Sequence, residues 1–235
     1  MFRKRLYFGK GKSKMGRNFV MAYFPLFIDI ENKPCLVAGG GRVALRKVQV
    51  LLDFGADVTV TAPVILEEIR EIKSITILER EFTPEDLEKK VLVVAATDDA
   101  AANHQIGELC KAKGILVNAV DQIEDCTFLF PAYVKQGDVV AAFSSGGKSP
   151  VLTQYLKAQE NGILTEHIGN LNDMLGSVRG RIKQLFDTEE ERKHIYQEIL
   201  MSGISKQRIP TDEEIEAIIT EFKSVEKFKL SKDTD

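Results

Sequence analysis

No stretch of the 235-residue sequence approaches the roughly 18 consecutive apolar residues a membrane-spanning helix requires, so no membrane partner is expected. Cysteine is scarce: Cys35, Cys110 and Cys126 are odd in number and never in CxxC spacing. That excludes a disulfide framework and a zinc knot, and makes a reducing cytoplasm the expected home. The three histidines, His104, His167 and His194, form no HxH or HExxH pattern, so no preformed metal site is expected. Internal repeats and low-complexity tracts are absent as well. What remains is 44% apolar and 29% charged, the balance of an ordinary globular chain. Its length accommodates one domain of roughly 100–150 residues and a smaller second unit.

Charge is unevenly placed. Residues 1–20 carry seven Lys or Arg and no acid, which leaves the remainder at −10 within a net charge of −3. A basic leader of this kind resembles a nucleic-acid arm, a secretory n-region or an organelle presequence. Each reading lacks a necessary part, because the apolar run Phe19–Ile30 is broken by Pro25 and Asp29 and offers no small-residue cleavage site. The expectation is a disordered extension over 1–20, with Met21 opening the fold and no nucleic-acid partner.

From Lys33 to Ala119, short β-branched runs alternate with amphipathic helical stretches, the pattern of βαβ units and a parallel sheet. The strands fall at Pro34–Ala38, Asp57–Thr61, Ile75–Glu79, Val91–Ala95 and Leu116–Ala119. Between the first two, Val43, Ala44, Lys47, Val48, Leu51 and Leu52 recur at helical spacing, and Gly55 ends the helix where a left-handed residue is needed. Beyond Asp121, the runs Phe128–Tyr133 and Val139–Ser144 flank Gln136-Gly137-Asp138 and predict a hairpin, a small extra sheet. Pro150 opens a helix to about Asn161. Further helices are predicted near Leu164–Phe186, Thr188–Met201 and Thr211–Phe228, the last begun by a Thr211-x-x-Glu214 capping box.

The sharpest motif is Gly39-Gly40-Gly41-Arg42-Val43-Ala44, a GxGxxA between a predicted strand and a predicted helix. Gly39 permits a tight turn, Gly41 lets backbone approach a pyrophosphate, and Ala44 lets the helix lie close to the sheet. The free N–H groups of the helix start then face the phosphates. The bland alternative is a tight turn that binds nothing. A dinucleotide fold usually carries an acid at the end of its second strand for the ribose hydroxyls, and here that place reads Thr59-Val60-Thr61-Ala62-Pro63. The choice between NAD and NADP is therefore open at this point, since Arg42 is equally suited to a phosphate.

Ligands of open α/β sheets sit beyond the carboxyl ends of strands, which singles out Val117-Asn118-Ala119-Val120-Asp121. Asp121 is placed to act as a general base, or else to serve its turn. Thr97 is placed to bond cofactor or substrate, while Asp98 or Asp99 suits the cap of the next helix. Ser144-Ser145-Gly146-Gly147-Lys148 either presents N–H groups and an ammonium to a carboxylate or is a flexible turn. His167 is a candidate for chemistry against a surface or capping role.

Taken together, Tyr23–Asp29, the GGGRVALRK run, AATDDAAAN at 95–103, NAVD at 118–121 and SSGGKSP at 144–150 resemble the amino-terminal module of sirohaem synthase, the precorrin-2 dehydrogenase and sirohydrochlorin ferrochelatase family. The resemblance runs from about Met21 to Phe186. It implies a Rossmann-type parallel sheet followed by a small dimerisation sheet and a helical carboxyl-terminal region, in boundaries of 21–127, 128–162 and 163–235. It also implies a homodimer, NAD as cofactor and Asp121 as the catalytic carboxylate. Cofactor contacts fall on Gly39, Gly41, Arg42, Val43, Ala44, Thr61, Pro63, Val64 and Thr97. Substrate contacts fall on Asn118, Ser144, Ser145, Gly146, Lys148 and His167. Ser145 matches a serine phosphorylated in some relatives. Family members also lack the ribose-binding acid.

The activity so implied is NAD-dependent oxidation of precorrin-2 to sirohydrochlorin. Insertion of ferrous iron is a possible second activity, in which Asp121 and His167 would serve. Two other classes stay in view: a tetrapyrrole- or dinucleotide-binding protein without turnover, and an unrelated oxidoreductase of small alcohols. Against the latter stands the absence of a Tyr-x-x-x-Lys pair.

Overall fold

The computed structural model describes residues 23–232, with side chains as far as Ser224. The expectations for the basic leader and for Met21 lie outside the described residues. The described chain parts into two compact units after Phe128.

The first unit is a five-stranded parallel sheet in the order β3-β2-β1-β4-β5. Its strands are β1 (Pro34–Ala38), β2 (Asp57–Thr61), β3 (Thr76–Leu78), β4 (Leu92–Ala95) and β5 (Leu116–Ala119). The helices are α1 (Arg42–Asp53), α2 (Glu67–Arg70) and α3 (Ala100–Lys113). Strand register is set by a central column in which Val37 lies between Val60 and Val94. Both faces of the sheet are covered, as a parallel sheet requires. On one face Leu36, Ala38, Val93, Ala95, Val117 and Ala119 pack with Ile106 and Cys110 of α3. The alternate residues Cys35, Val37 and Val94 are equally buried on the other.

The expected strands at 34–38, 57–61 and 116–119 are observed with those bounds. The third and fourth lack Ile75, Glu79 and Val91, which leave the ladder at its ends. Gly55 follows α1 at φ 71°, in the left-handed role its position predicted.

The second unit begins with an antiparallel hairpin of β6 (Ala132–Gln136) and β7 (Val139–Phe143). Here the expectation of a strand from Phe128 is corrected. Pro131 has no N–H for a ladder and the Phe128 carbonyl accepts from the Asn118 side chain at 3.1 Å, so pairing starts only at Ala132. Four helices follow: α4 (Pro150–Glu160), α5 (Glu166–Leu185), α6 (Glu189–Lys206) and α7 (Asp212–Lys232). Ile182 and Phe186 pack against Ile195 and Ile199 of α6 and Ile215 and Ile219 of α7. The expected end of α6 at Met201 is overrun by five residues to Lys206. Gly203, which would ordinarily weaken a helix interior, is used for close packing, since a Cβ there would stand 2.3 Å from Leu171 Cδ2. The Thr211–Glu214 capping box forms as expected, with reciprocal bonds of 2.9 and 3.3 Å. Among the described residues no helix is long and apolar enough to cross a membrane.

Candidate functional site

Strands β1 and β4 are central neighbours whose connections leave in opposite directions, so their carboxyl ends open the crevice where such sheets take ligands. Gly39 leaves β1 at φ 135°, a region closed to other residues, and a Cβ on it would lie 2.1 Å from the Ala96 carbonyl oxygen beyond β4. Gly40 is pressed as closely against the loop after β2, where a Cβ would meet the Val64 carbonyl oxygen at 2.0 Å. Gly41 differs from both: nothing lies within 4 Å of its Cβ position. It is the N-cap of α1, no side chain caps it, and the first turn holds no acid. Ala44 is fully buried against the sheet. The turn is thus crowded on two sides and open on the third, where N–H groups of a helix start face outward. That geometry fits a pyrophosphate.

The flanks of this cradle sort the predicted cofactor residues. Arg42, Pro63 and Val64 are exposed beside it, Val64 at 79%, and Val43 is half-buried. Thr61 is fully buried; its hydroxyl donates to the Arg80 carbonyl at 3.1 Å and its own carbonyl accepts the Gly39 N–H at 2.8 Å. Its contribution is therefore to hold the turn from within. Thr97 is engaged as well, with its hydroxyl 2.7 Å from Asn103 Oδ1 and 3.0 Å from the Asp99 carbonyl. Asp99, rather than Asp98, caps α3, accepting from the Ala101 N–H at 2.8 Å.

Asp121 follows β5 in the left-handed region at φ 61°, a conformation Asp tolerates better than most residues. It is exposed, and among the described residues its carboxylate has no hydrogen bond or ion pair, so it does not cap the turn that it begins. The loop behind it is held firmly. The Cys126 thiol lies 3.2 Å from the Ala119 carbonyl, and Thr127 Oγ1 accepts the Val117 N–H at 2.8 Å. Asn118 is buried and its amide donates to Phe128.

Sequence reasoning missed a cluster behind this loop. Asp125, with a side chain only 4% exposed, faces His104 Nδ1 at 2.8 Å and Lys111 Nζ at 3.2 Å, both from α3. Gly107 makes room between them, since a Cβ there would approach Asp125 Cβ to 3.1 Å. Hydrogen bonding to Asp125 raises the His104 pKa. Burial pushes the Asp125 carboxyl up, but bonds from His104 and Lys111 outweigh it and hold the pKa below the usual range. His104, Glu108 and Asp125 bring three potential metal donors together. The ammonium of Lys111 already lies against both carboxylates and His104 against Asp125, so the cluster is paired internally and latches the turn at Asp125 to α3. Only the i, i+3 and i, i+4 spacing of His104, Glu108 and Lys111 was visible in sequence; the Asp125 partner is remote.

In the second unit, Ser144 to Ser149 form a turn with Gly146 at φ 62° and Gly147 at φ 79°. Ser144 Oγ accepts the Gly146 N–H at 3.1 Å and Ser145 Oγ accepts the Ser149 N–H at 2.9 Å. Lys148 is exposed. His167 Nε2 donates to the Gly203 carbonyl at 3.2 Å, tying α5 to α6.

Comparison with known proteins agrees with this geometry. Residues 26–132 match the family model described as "Putative NAD(P)-binding". Sirohaem synthase of Ruthia magnifica is 36% identical over 192 residues, covering 80% of this chain and 40% of that protein. The Psychromonas ingrahamii sirohaem synthase is 39% identical over 188 residues, with 78% and 40% covered. The chain thus spans about two-fifths of the length of these curated relatives. The solved structure of SirC, precorrin-2 dehydrogenase, superposes with a TM-score of 0.63 at 26% identity, over 86% of this chain and 100% of SirC. The glycine cradle, the parallel sheet with its added hairpin and helices, and these likenesses make the chain similar to SirC over the whole of SirC and to the corresponding part of the sirohaem synthases.

Proposed function

We propose that the chain oxidises precorrin-2 to sirohydrochlorin with NAD as electron acceptor, a step towards sirohaem. The observation that carries the reading is the likeness to SirC along the whole of SirC, coupled to an open Gly41 cradle and an uncommitted carboxylate at Asp121. Two hydrogens leave the macrocycle, one as hydride and one as a proton. NAD, when bound, supplies the acceptor for the hydride. Gly41 and the start of α1 hold the pyrophosphate, with Arg42, Val43, Pro63 and Val64 bordering the nucleotide. Asp121 takes the proton and returns it to solvent, for which an exposed carboxylate without internal partners is suited. The exposed Lys148 ammonium and the left-handed glycines of its turn suit the carboxylates of a tetrapyrrole.

The same reading makes the chain a cytoplasmic homodimer that associates through residues 128–162. Support comes from α4, on which Val151 is 80%, Tyr155 60% and Leu152 50% exposed. The three cysteines are unpaired, and burial lifts the Cys35 and Cys110 thiols to about 11, as suits a reducing compartment.

The test is anaerobic absorbance of the purified protein with enzymatically made precorrin-2 and NAD. Formation of NADH with a sirohydrochlorin spectrum is expected, and Asp121→Asn is expected to lower turnover by about 10²- to 10⁴-fold, the range of general-base catalysis, while NAD still binds. Tetrapyrrole binding with NAD left oxidised would replace the enzyme with a ligand carrier.

A further inference from the structure

The peptide that presses on Gly39 is itself held in place from α3. Ala96 supplies the carbonyl oxygen that a Gly39 Cβ would meet at 2.1 Å, and the N–H of that same peptide group belongs to Thr97. Thr97 N–H donates to Asn103 Oδ1 at 3.0 Å, and Asn103 Nδ2 donates back to the Thr97 carbonyl at 3.0 Å. The Thr97 hydroxyl reaches the same Oδ1 at 2.7 Å. One amide thus brackets the residue on both sides of its backbone, as a paired strand would.

Asn103 is 4% exposed and lies in the first turns of α3, where its own N–H bonds the Asp99 carbonyl at 3.0 Å. Asn is a poor choice for that position on helix propensity, and a buried amide costs free energy unless its polar atoms are used. Among the described residues, the side-chain hydrogen bonds of Asn103 all go to Thr97. The consequence falls at the crevice. The Ala96–Thr97 peptide forms the wall against which the glycine turn is packed, and its position sets where Gly39, and the Gly40–Gly41 backbone after it, can lie.

We propose that Asn103 is a positioning residue for the dinucleotide, fixing the Ala96–Thr97 peptide so that the glycine turn is preformed for pyrophosphate. It touches no cofactor atom in this role and acts through Thr97 and Gly39. The proposal rests on the NAD-binding reading of that turn. Preorganised backbone donors lose their advantage when the wall behind them is free to shift, because the ordering then has to occur on binding.

The experiment measures NAD affinity by titration calorimetry and melting temperature by scanning calorimetry, on the full chain. Asn103→Ala is compared with Ile106→Val, a core change on the same helix that leaves Thr97 untouched. Asn103→Ser removes the amide's bonds to the Thr97 N–H and carbonyl while leaving a small neutral polar side chain, and it serves if the alanine variant does not fold. Asn103→Ala and Asn103→Ser are each expected to weaken NAD binding tenfold or more, and Ile106→Val by under twofold at a similar loss of melting temperature. NAD affinity that follows melting temperature alike in all three variants, or stays unchanged in the Asn103 variants, would overturn the positioning role. A wild-type chain with no affinity for NAD would overturn the dinucleotide reading itself, and the role with it.

Discussion

Gly39 and Gly41 sit two residues apart, yet the physics of replacing each is opposite. Gly39 has φ 135° and a backbone oxygen at 2.1 Å from its missing Cβ, so Gly39→Ala meets both strain and collision. The expected cost exceeds about 3 kcal/mol, the upper end for one strained residue, and appears as a fall in melting temperature. Gly41 has an ordinary φ of −91° and open space around its Cβ position. Gly41→Ser supplies the cap that α1 lacks, so its melting temperature is expected to hold or rise. In the proposed cradle the new hydroxyl takes an N–H meant for the pyrophosphate and occupies its approach. NAD affinity measured by calorimetry is therefore expected to fall at least tenfold. Stability and affinity moving in opposite directions in one variant would separate a binding cradle from a merely tight turn.

Elements were legible wherever local chemistry decides them. Strands β1, β2 and β5 and the turn from Gly39 to Ala44 follow from β-branched runs and from glycines at fixed offsets, so the parallel unit and its crevice could be read along the chain. The start of β6 was not, because the pull of Asn118 on Phe128 joins residues ten apart through a side chain. Asn103 and Asp125 were missed for the same reason. Their partners are set by the docking of α3 on the sheet, and nothing in their neighbours announces it.

The Asp125 latch gives that docking a pH dependence. His104 has its pKa raised by Asp125, so its contribution is full below the ordinary imidazole value of about 6.5 and disappears as pH rises through the raised value. Asp125 has its pKa lowered, so its contribution is present above the ordinary carboxyl value and disappears as pH falls through the depressed one. Melting temperature is expected to decline on the alkaline side of the imidazole range, and His104→Gln is expected to remove that limb while keeping the acid one. The limb persisting in His104→Gln would assign it to another group. Lys111, which remains charged across the range and also holds Asp125, limits the size of the change.

At the scale of the whole molecule, the question is why a chain of this composition leaves so much apolar surface uncovered. A two-stranded hairpin such as β6–β7 is marginal by itself, and here α4 and α5 pack against it within the second unit. Helix α4 nonetheless has a single buried residue, Thr153, while Val151, Leu152, Tyr155 and Leu156 are all exposed. Scattered exposed apolar residues are ordinary, but four along a helix of eleven residues suit the homodimer proposed above. Covering a fully exposed side chain of this kind is worth roughly 1.5–3 kcal/mol, approached by Val151 and about halved for Leu152 and Leu156, which are already half or more covered, and the sum has to meet the cost of association. The chain is therefore expected to sediment at twice its own mass at micromolar concentration. Leu152→Glu places a charge among these side chains, where burial without a partner is prohibitive, and is expected to give a monomer with unchanged circular dichroism. A wild type that sediments as a monomer would remove the homodimer and leave these side chains to a different partner. Dimers that survive Leu152→Glu would instead move the interface off α4.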